Sequence, residues 1–285
     1  MSLVAVGVHG RLFCCVLIFL CLLCQRGALD SRRQVWRRTD ADGQDSGMDL
    51  EAIQKKARSD LLLQTQDGAA DVFLWEHSLR VARNARQIAA LPEAKSIGAD
   101  RQCVFLAGLY HDAGWAYRVR SGALDRMRVL LGATTEEDCE TGASMLEKSM
   151  RGRVPPVVLE RAAAAVRTRL DRSSRSGDAV VLGEAEALDE FGVVPLWLAV
   201  RRGAIEGWGV ESAVESWVRK KEYQFWSARL ADSFRFDQIR ELARKRLSRI
   251  ERLMTEVQIE SLGQDIAGVM SKSPRSEAPA DGLNA

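Results

Sequence analysis

The 285 residues include only three histidines, three tyrosines and six prolines. Scarce proline leaves long stretches free of an obligatory helix breaker, and runs alternating β-branched with polar residues are almost absent. A fold built on a sheet is therefore disfavoured. Neither sign of charge is in excess, with 41 Lys and Arg against 39 Asp and Glu, so no global basic field points to nucleic acid. Cysteine provides no framework. Cys14, Cys15, Cys21 and Cys24 crowd into one N-terminal apolar run, while Cys103 and Cys139 lie far apart in helical pattern. That spacing suits neither a disulfide ladder nor a zinc ribbon, and a reduced interior is the simpler reading. Also missing are G-x-x-x-x-G-K-[ST], G-x-G-x-x-G and G-x-S-x-G, which argues against P-loop, dinucleotide and serine-hydrolase chemistry.

What is present is an apolar fraction of 46% and a middle rich in Ala, Leu, Arg and Glu. These residues favour helix, and the fold class they indicate is all-α. The N-terminal run "LFCCVLIFLCLLC" (12–24) is shorter than the roughly 20 residues of a membrane span. It has the length of a signal-peptide core, with Arg11 before it and a weak small-residue site near Ala28, but no good lipobox precedes Cys24. Residues 29–47 are charged and read as a disordered linker. At Met48 an amphipathic helix begins. Two accounts stay open: export or anchoring through 12–24, or a true start downstream of Met1 and a cytoplasmic protein. The second is adopted. The expected organisation is an N-terminal segment and linker over 1–47, one folded domain over 48–263, and a disordered polar tail over 264–285.

Within the domain one helix follows another, without internal repeats. Residues 72–91 place Leu74, His77, Val81, Ala85 and Ile88 on one face. The next helix, 101–113, has Asp100 as N-cap and Gly114 as terminator, with Val104, Gly108 and His111 sharing a face. The small Gly108 would let another helix come close. Further helices are expected over 136–149, 155–170, 179–191 and from Pro195, and the last runs from Asp237 to about 262 with an apolar stripe from Ile239 to Val257.

The chemistry gathers at "GLYHDAGW" (108–115). A chain so poor in histidine puts one beside an aspartate at the end of an apolar run. His77 alone is a candidate for a hydrogen-bonded core histidine. Together with His111 and Asp112 it becomes a candidate metal ligand. Mixed N/O ligation of this kind suits Mn, Fe, Co or Ni and tolerates Mg. A cation there would lower the pKa of a coordinated water from 15.7 to roughly 7.

On "WEHSLRVARNARQIA" (75–89), "LAGLYHDAGW" (106–115), "ETGASML" (140–146) and "LGEAEALDEFG" (182–192) the chain resembles the HD-domain superfamily of metal-dependent phosphohydrolases. Its small stand-alone bacterial group, which ends in a long "LARKRLSRIERLM"-type helix (242–254), is the most similar part. The resemblance covers roughly 70–250. It implies an HD-domain helical bundle with a metal between helices, held by His77, His111, Asp112 and a fourth carboxylate.

Two departures matter. The family's D-A-D-x-L-D motif stands here as Glu184-Ala185-Glu186-Ala187-Leu188-Asp189, so the matching ligand is Glu186, with Asp189 one turn on as backup. A solvated acidic helix face is the bland alternative. The late histidine found in two-metal members is replaced by Arg169, so one divalent ion is expected. Arg169 is either a fork for a substrate phosphate or an exposed helix-end arginine. Arg80, one turn from His77, is a second candidate for the cleft. Glu76 and Glu140 are weaker candidates for placing water, and "WAYRVR" (115–120) for stacking a base on Trp115, unless Trp115 packs in the core. Asp112 would both ligate and orient the attacking water.

The expected activity is metal-dependent hydrolysis of a phosphoester or phosphoanhydride. The substrate is a small phosphorylated molecule, with nucleotides among the candidates, and oligomeric state is left open. Two rivals remain: a degenerate domain that binds a nucleotide or partner without turnover, and a helical interaction protein docking through 237–262. The glutamate at 186 and the arginine at 169 support the first rival; the second predicts that His77 and His111 do not converge, whereas the main reading expects His77, His111, Asp112 and Glu186 to surround one ion.

Overall fold

A computed structural model describes residues 48–64, 68–171 and 173–266. The apolar run 12–24, the linker and nearly all of the polar tail lie outside the described residues. Among those described, no helix is long and apolar enough to cross a membrane.

The protein is all-helical. In chain order the elements are α1 (Leu50–Leu61), a two-residue antiparallel ladder of β1 (Leu63–Gln64) and β2 (Ala70–Asp71), α2 (Phe73–Ile88), α3 (Pro92–Ser96), α4 (Arg101–Tyr110) and α5 (Ala113–Arg120). A short 3-10 turn at Arg126–Arg128 leads to α6 (Glu136–Met150), α7 (Pro156–Arg167) and α8 (Gly177–Asp189). The chain then forms α9 (Leu196–Glu206), α10 (Val210–Glu222), α11 (Phe225–Ser233) and α12 (Asp237–Ser261).

The axis of the fold is α4, which packs against α2, α6, α7 and α8. Its residues Cys103 to Tyr110 are all buried, so this helix is apolar all round and has no solvent face. It starts where Asp100 accepts hydrogen bonds from the backbone N–H groups of Gln102 and Cys103, satisfying donors that the first helical turn leaves open. On α2 the inward residues are Leu74, Trp75, Ser78, Val81, Ala82, Ala85 and Ile88, close to the face read from the sequence. Gly108 faces Ala82 so tightly that a Cβ there would lie 2.5 Å from the Ala82 Cα. The expected close approach of a helix at Gly108 is present, and it is between α2 and α4.

The stretch read as one helix over 101–113 is two. α4 ends at Tyr110, Asp112 takes φ −109° and ψ 16°, and α5 starts at Ala113. Gly114 does not terminate a helix; it lies inside α5. A Cβ on it would meet the Asp138 carbonyl oxygen at 2.5 Å, so its role is to let α5 lie against the start of α6. That start is fixed by a capping box between Thr135 and Asp138. Helix α7 also stops short of its expected end, at Arg167, and frees Arg169 from helical geometry.

Beyond α8, helices α10 and α12 share a second small core of Val214, Ile250 and Met254, flanked by Leu196, Trp217, Leu247 and Val257. The apolar stripe of the last helix is thus packing surface. Cys103 and Cys139 are buried free thiols.

Candidate metal centre

Three elements aim donors at one place. His77 comes from the middle of α2, His111 caps α4 and Asp112 opens α5. Successive residues of an uninterrupted helix point about 100° apart. The break after Tyr110 allows the adjacent His111 and Asp112 to face the same point. The two Nε2 atoms are 3.2 Å apart, and each lies 3.3 Å from Asp112 Oδ2. One donor atom from each of the three residues falls within 4.8 Å of the others.

The outer ring nitrogens fix the tautomers. His111 Nδ1 lies 2.9 Å from the carbonyl oxygen of Gly108, which can only accept, so Nδ1 carries the hydrogen. His77 Nδ1 lies 2.9 Å from Asp189 Oδ2. Arg80 also donates to Asp189, from Nε to Oδ1 and from Nη2 to Oδ2, both at 3.1 Å. Burial favours the neutral acid at Asp189, but His77 and Arg80 outweigh it and hold the carboxyl down at about 2. Asp189 therefore accepts from His77 Nδ1–H. In neutral imidazoles both Nε2 lone pairs would then converge with a carboxylate oxygen. Such an arrangement repels itself unless a positive charge sits between, so the donor set fits a divalent cation.

Without an ion, a proton on His77 answers the same repulsion, and a metal would have to displace it. Burial opposes a charged imidazole at His77, yet Asp112 and Asp189 outweigh it and raise the group from 6.5 to about 9. Burial also opposes ionisation of Asp112, but its contacts with His111, Arg169 and His77 hold its carboxyl well below the ordinary range.

The remaining sequence candidates are distributed around this cluster. The Glu186 carboxylate does not join the three converging donors; it lies 2.8 Å from Arg169 Nη1, with 31% of its side chain exposed. Arg169 is not an exposed helix-end residue. Its side chain has no solvent exposure, and Nη2 donates to Asp112 Oδ1 at 2.6 Å. Its guanidinium is packed against Asp112, Glu186 and Cys139 with no solvent exposure, so it is not presented to a substrate phosphate. Arg80 grips Asp189 with 34% of its side chain exposed. Asp189, the backup ligand by sequence, supports the His77 ring. Glu76 is exposed, and Glu140 accepts from Arg167 at 2.9 Å. Trp115 is 2% exposed, so no base can stack on it; its indole N–H donates to Thr134 Oγ1 at 3.3 Å. A cleft lined by Glu136, Glu140, Arg167, Leu170 and Asp171 shares no residue with the cluster.

Sequence reasoning passed over Thr134. Its hydroxyl donates to Asp112 Oδ1 at 3.3 Å from the segment joining α5 to α6. Arg201 and Arg202 of α9 hold that segment through the carbonyls of Met127 and Leu131. The only local signal was a pair of threonines before an acidic run, which reads as a helix cap.

A helical bundle that gathers H…H-D donors between its central helices defines a class of metal-binding domain. Residues 74–193 match the HD domain family. One similar solved structure is a predicted HD superfamily hydrolase from an uncultured Thermotogales bacterium. It is 20% identical, with 75% of this chain and 93% of that one covered, at a TM-score of 0.45. No curated protein sequence matches the chain.

Proposed function

We propose that the protein is a phosphohydrolase that uses one divalent ion, held by His77, His111 and Asp112, to cleave a phosphoester or phosphoanhydride of a small molecule, nucleotides being leading candidates. The observation that carries this reading is the pair of imidazoles whose Nδ1 hydrogens are both spoken for and whose Nε2 atoms meet at 3.2 Å beside Asp112 Oδ2. Three protein donors leave coordination positions open, as in hydrolytic rather than structural sites. When bound, a divalent ion would supply Lewis acidity towards a phosphoryl oxygen and a lowered pKa for water in its shell.

The chain's own residues prepare that chemistry. Asp189 and the Gly108 carbonyl hold both histidines in the Nδ1–H tautomer and fix their ring orientation. Arg169 and Thr134 fix Asp112 by its outer oxygen. Arg80 stands beside His77 through the shared Asp189 and is partly exposed; we assign it to phosphoryl oxygens of the substrate, where a fixed cation offsets charge in the transition state. Burial of α4 and of Trp115 keeps water from the back of the site.

The test is to purify the full chain, measure bound metal, and screen nucleoside mono-, di- and triphosphates and simple phosphoesters with Mn²⁺ for release of phosphate or pyrophosphate. Turnover that is lost with chelator and in His111→Ala is the expected result. Metal-loaded protein that binds nucleotide but releases nothing across the panel would replace this reading with a catalytically silent binding domain.

A further inference from the structure

The two oxygens of Asp112 have different company. Oδ2 lies 3.3 Å from the Nε2 atoms of both histidines. Oδ1 accepts from Arg169 Nη2 at 2.6 Å and from the Thr134 hydroxyl at 3.3 Å. The same guanidinium places Nη1 2.8 Å from Glu186 Oε1 and donates from Nε to Cys139 Sγ at 3.3 Å. Its side chain has no solvent exposure, and the neighbouring carboxylates more than offset the burial that would weaken its charge. It is a permanent cation locked in place.

A carboxylate with both oxygens available can bridge two metal ions. Asp112 has one oxygen available. We propose that Arg169 is a positioning residue that acts as a built-in second cation: it closes Asp112 Oδ1 and Glu186 Oε1 to metal and limits the centre to a single ion on the Oδ2 face. This rests on the reading that His77, His111 and Asp112 hold an ion. Removing the guanidinium would leave two carboxylate oxygens and a thiol, all now within 3.3 Å of its nitrogens. Such an O, O, S donor set suits a second divalent metal. Charge favours the exchange as well. Two carboxylates against one guanidinium sum to −1, whereas two carboxylates against a divalent ion sum to zero.

The experiment saturates the full-length protein with Mn²⁺ and reads ions per chain together with the electron paramagnetic resonance spectrum. Wild type should bind one Mn²⁺ with the spectrum of an isolated ion. Arg169→Met should bind two and show an exchange-coupled pair, and Arg169→Lys, which keeps the charge, should return to one. Should Arg169→Met fail to fold, Arg169→Gln is read in the same way. A coupled pair in wild type overturns the proposal, and so does a neutral variant that keeps one ion and the wild-type spectrum. A wild type that binds no Mn²⁺ overturns the metal centre itself and the proposal with it.

Discussion

Adding one methyl group at Gly108 tests whether the fold and the site share a mechanical origin. A Cβ there would lie 2.5 Å from the Ala82 Cα and 2.8 Å from the Ala82 N. Ordinary carbon contacts are about 3.5–4.0 Å, and both obstacles are backbone, so α2 and α4 must separate by roughly 1 Å. Overpacking of this kind costs about 1–3 kcal/mol. For a domain of this size each kcal/mol lowers Tm by about 2–4 °C, so Gly108→Ala should melt about 2–12 °C below wild type. The same displacement reaches the donors. His77 lies on α2 near Ala82, and His111 follows Gly108 by one turn, so their 3.2 Å Nε2 separation cannot survive a shift of roughly 1 Å. Metal affinity should fall at least about tenfold, the scale of losing a supporting contact to a ligand. Gly183→Ala on α8 is the control, since nothing lies within 4 Å of its added Cβ. There the substitution should be neutral or stabilising by up to about 1 kcal/mol. Thermal melts and calorimetric Mn²⁺ titrations of both variants decide the matter. If Gly108→Ala matches Gly183→Ala in both, the tight crossing does not set the site.

Asp189→Asn removes the charge that orients His77 and should weaken metal binding by about 10–100-fold; an unchanged affinity by calorimetry would take Asp189 out of the centre. Burial pushes the Glu184 carboxyl from 4.5 up to about 7, despite backbone N–H groups of Arg235 and Phe236 that oppose the shift. The folded state then keeps a proton that the unfolded chain releases between those pH values. Stability should therefore fall as pH rises from 4.5 to 7, by up to about 3 kcal/mol from this group. Glu184→Gln should remove that share of the slope in urea melts, and identical slopes for the two proteins would refute the assignment. Arg201 donates to Asp71 at 2.8 Å and to the Met127 carbonyl at 2.9 Å, with both charged side chains nearly buried. Arg201→Ala should destabilise by about 3 kcal/mol, near the lower end for a broken buried pair because Arg126 still reaches Asp71. A loss under about 0.5 kcal/mol in denaturant melts would show the network to be idle.

The parts of this molecule legible in the sequence are those decided by neighbours along the chain. Asp100 announced the start of α4 because a short carboxylate can satisfy open N–H groups two and three residues on. The apolar spacing of α2 revealed its inward face, and His77 and His111 drew notice because few histidines were available to place. The parts that stayed hidden depend on partners distant in the chain. Nothing local shows that the helix breaks at His111, since 101–113 keeps an unbroken apolar pattern and the break is selected by what His111 and Asp112 face. Gly114 has the look of a terminator, while its actual constraint is the backbone of Asp138. Arg169 follows a helix end, a place where arginine is commonly solvated. Its inward turn requires Asp112, 57 residues earlier. Glu186 and Asp189 are a single turn apart, so spacing alone assigned them to one face, yet Arg169 and His77 engage them separately.

The centre is also assembled in a set order as the chain leaves the ribosome. His77, His111 and Asp112 belong to helices that emerge close together, but Asp112 is made 57 residues before its partner Arg169, and His77 precedes Asp189 by 112 residues. At about 5–20 residues per second these gaps last roughly 3–11 s and 6–22 s. For that time the nascent chain displays two imidazoles and a carboxylate without the arginine that closes one side or the aspartate that aims His77. The single-ion selectivity proposed above would therefore be acquired only when α7 and α8 dock, and an ion captured earlier would be held by a looser and more permissive site.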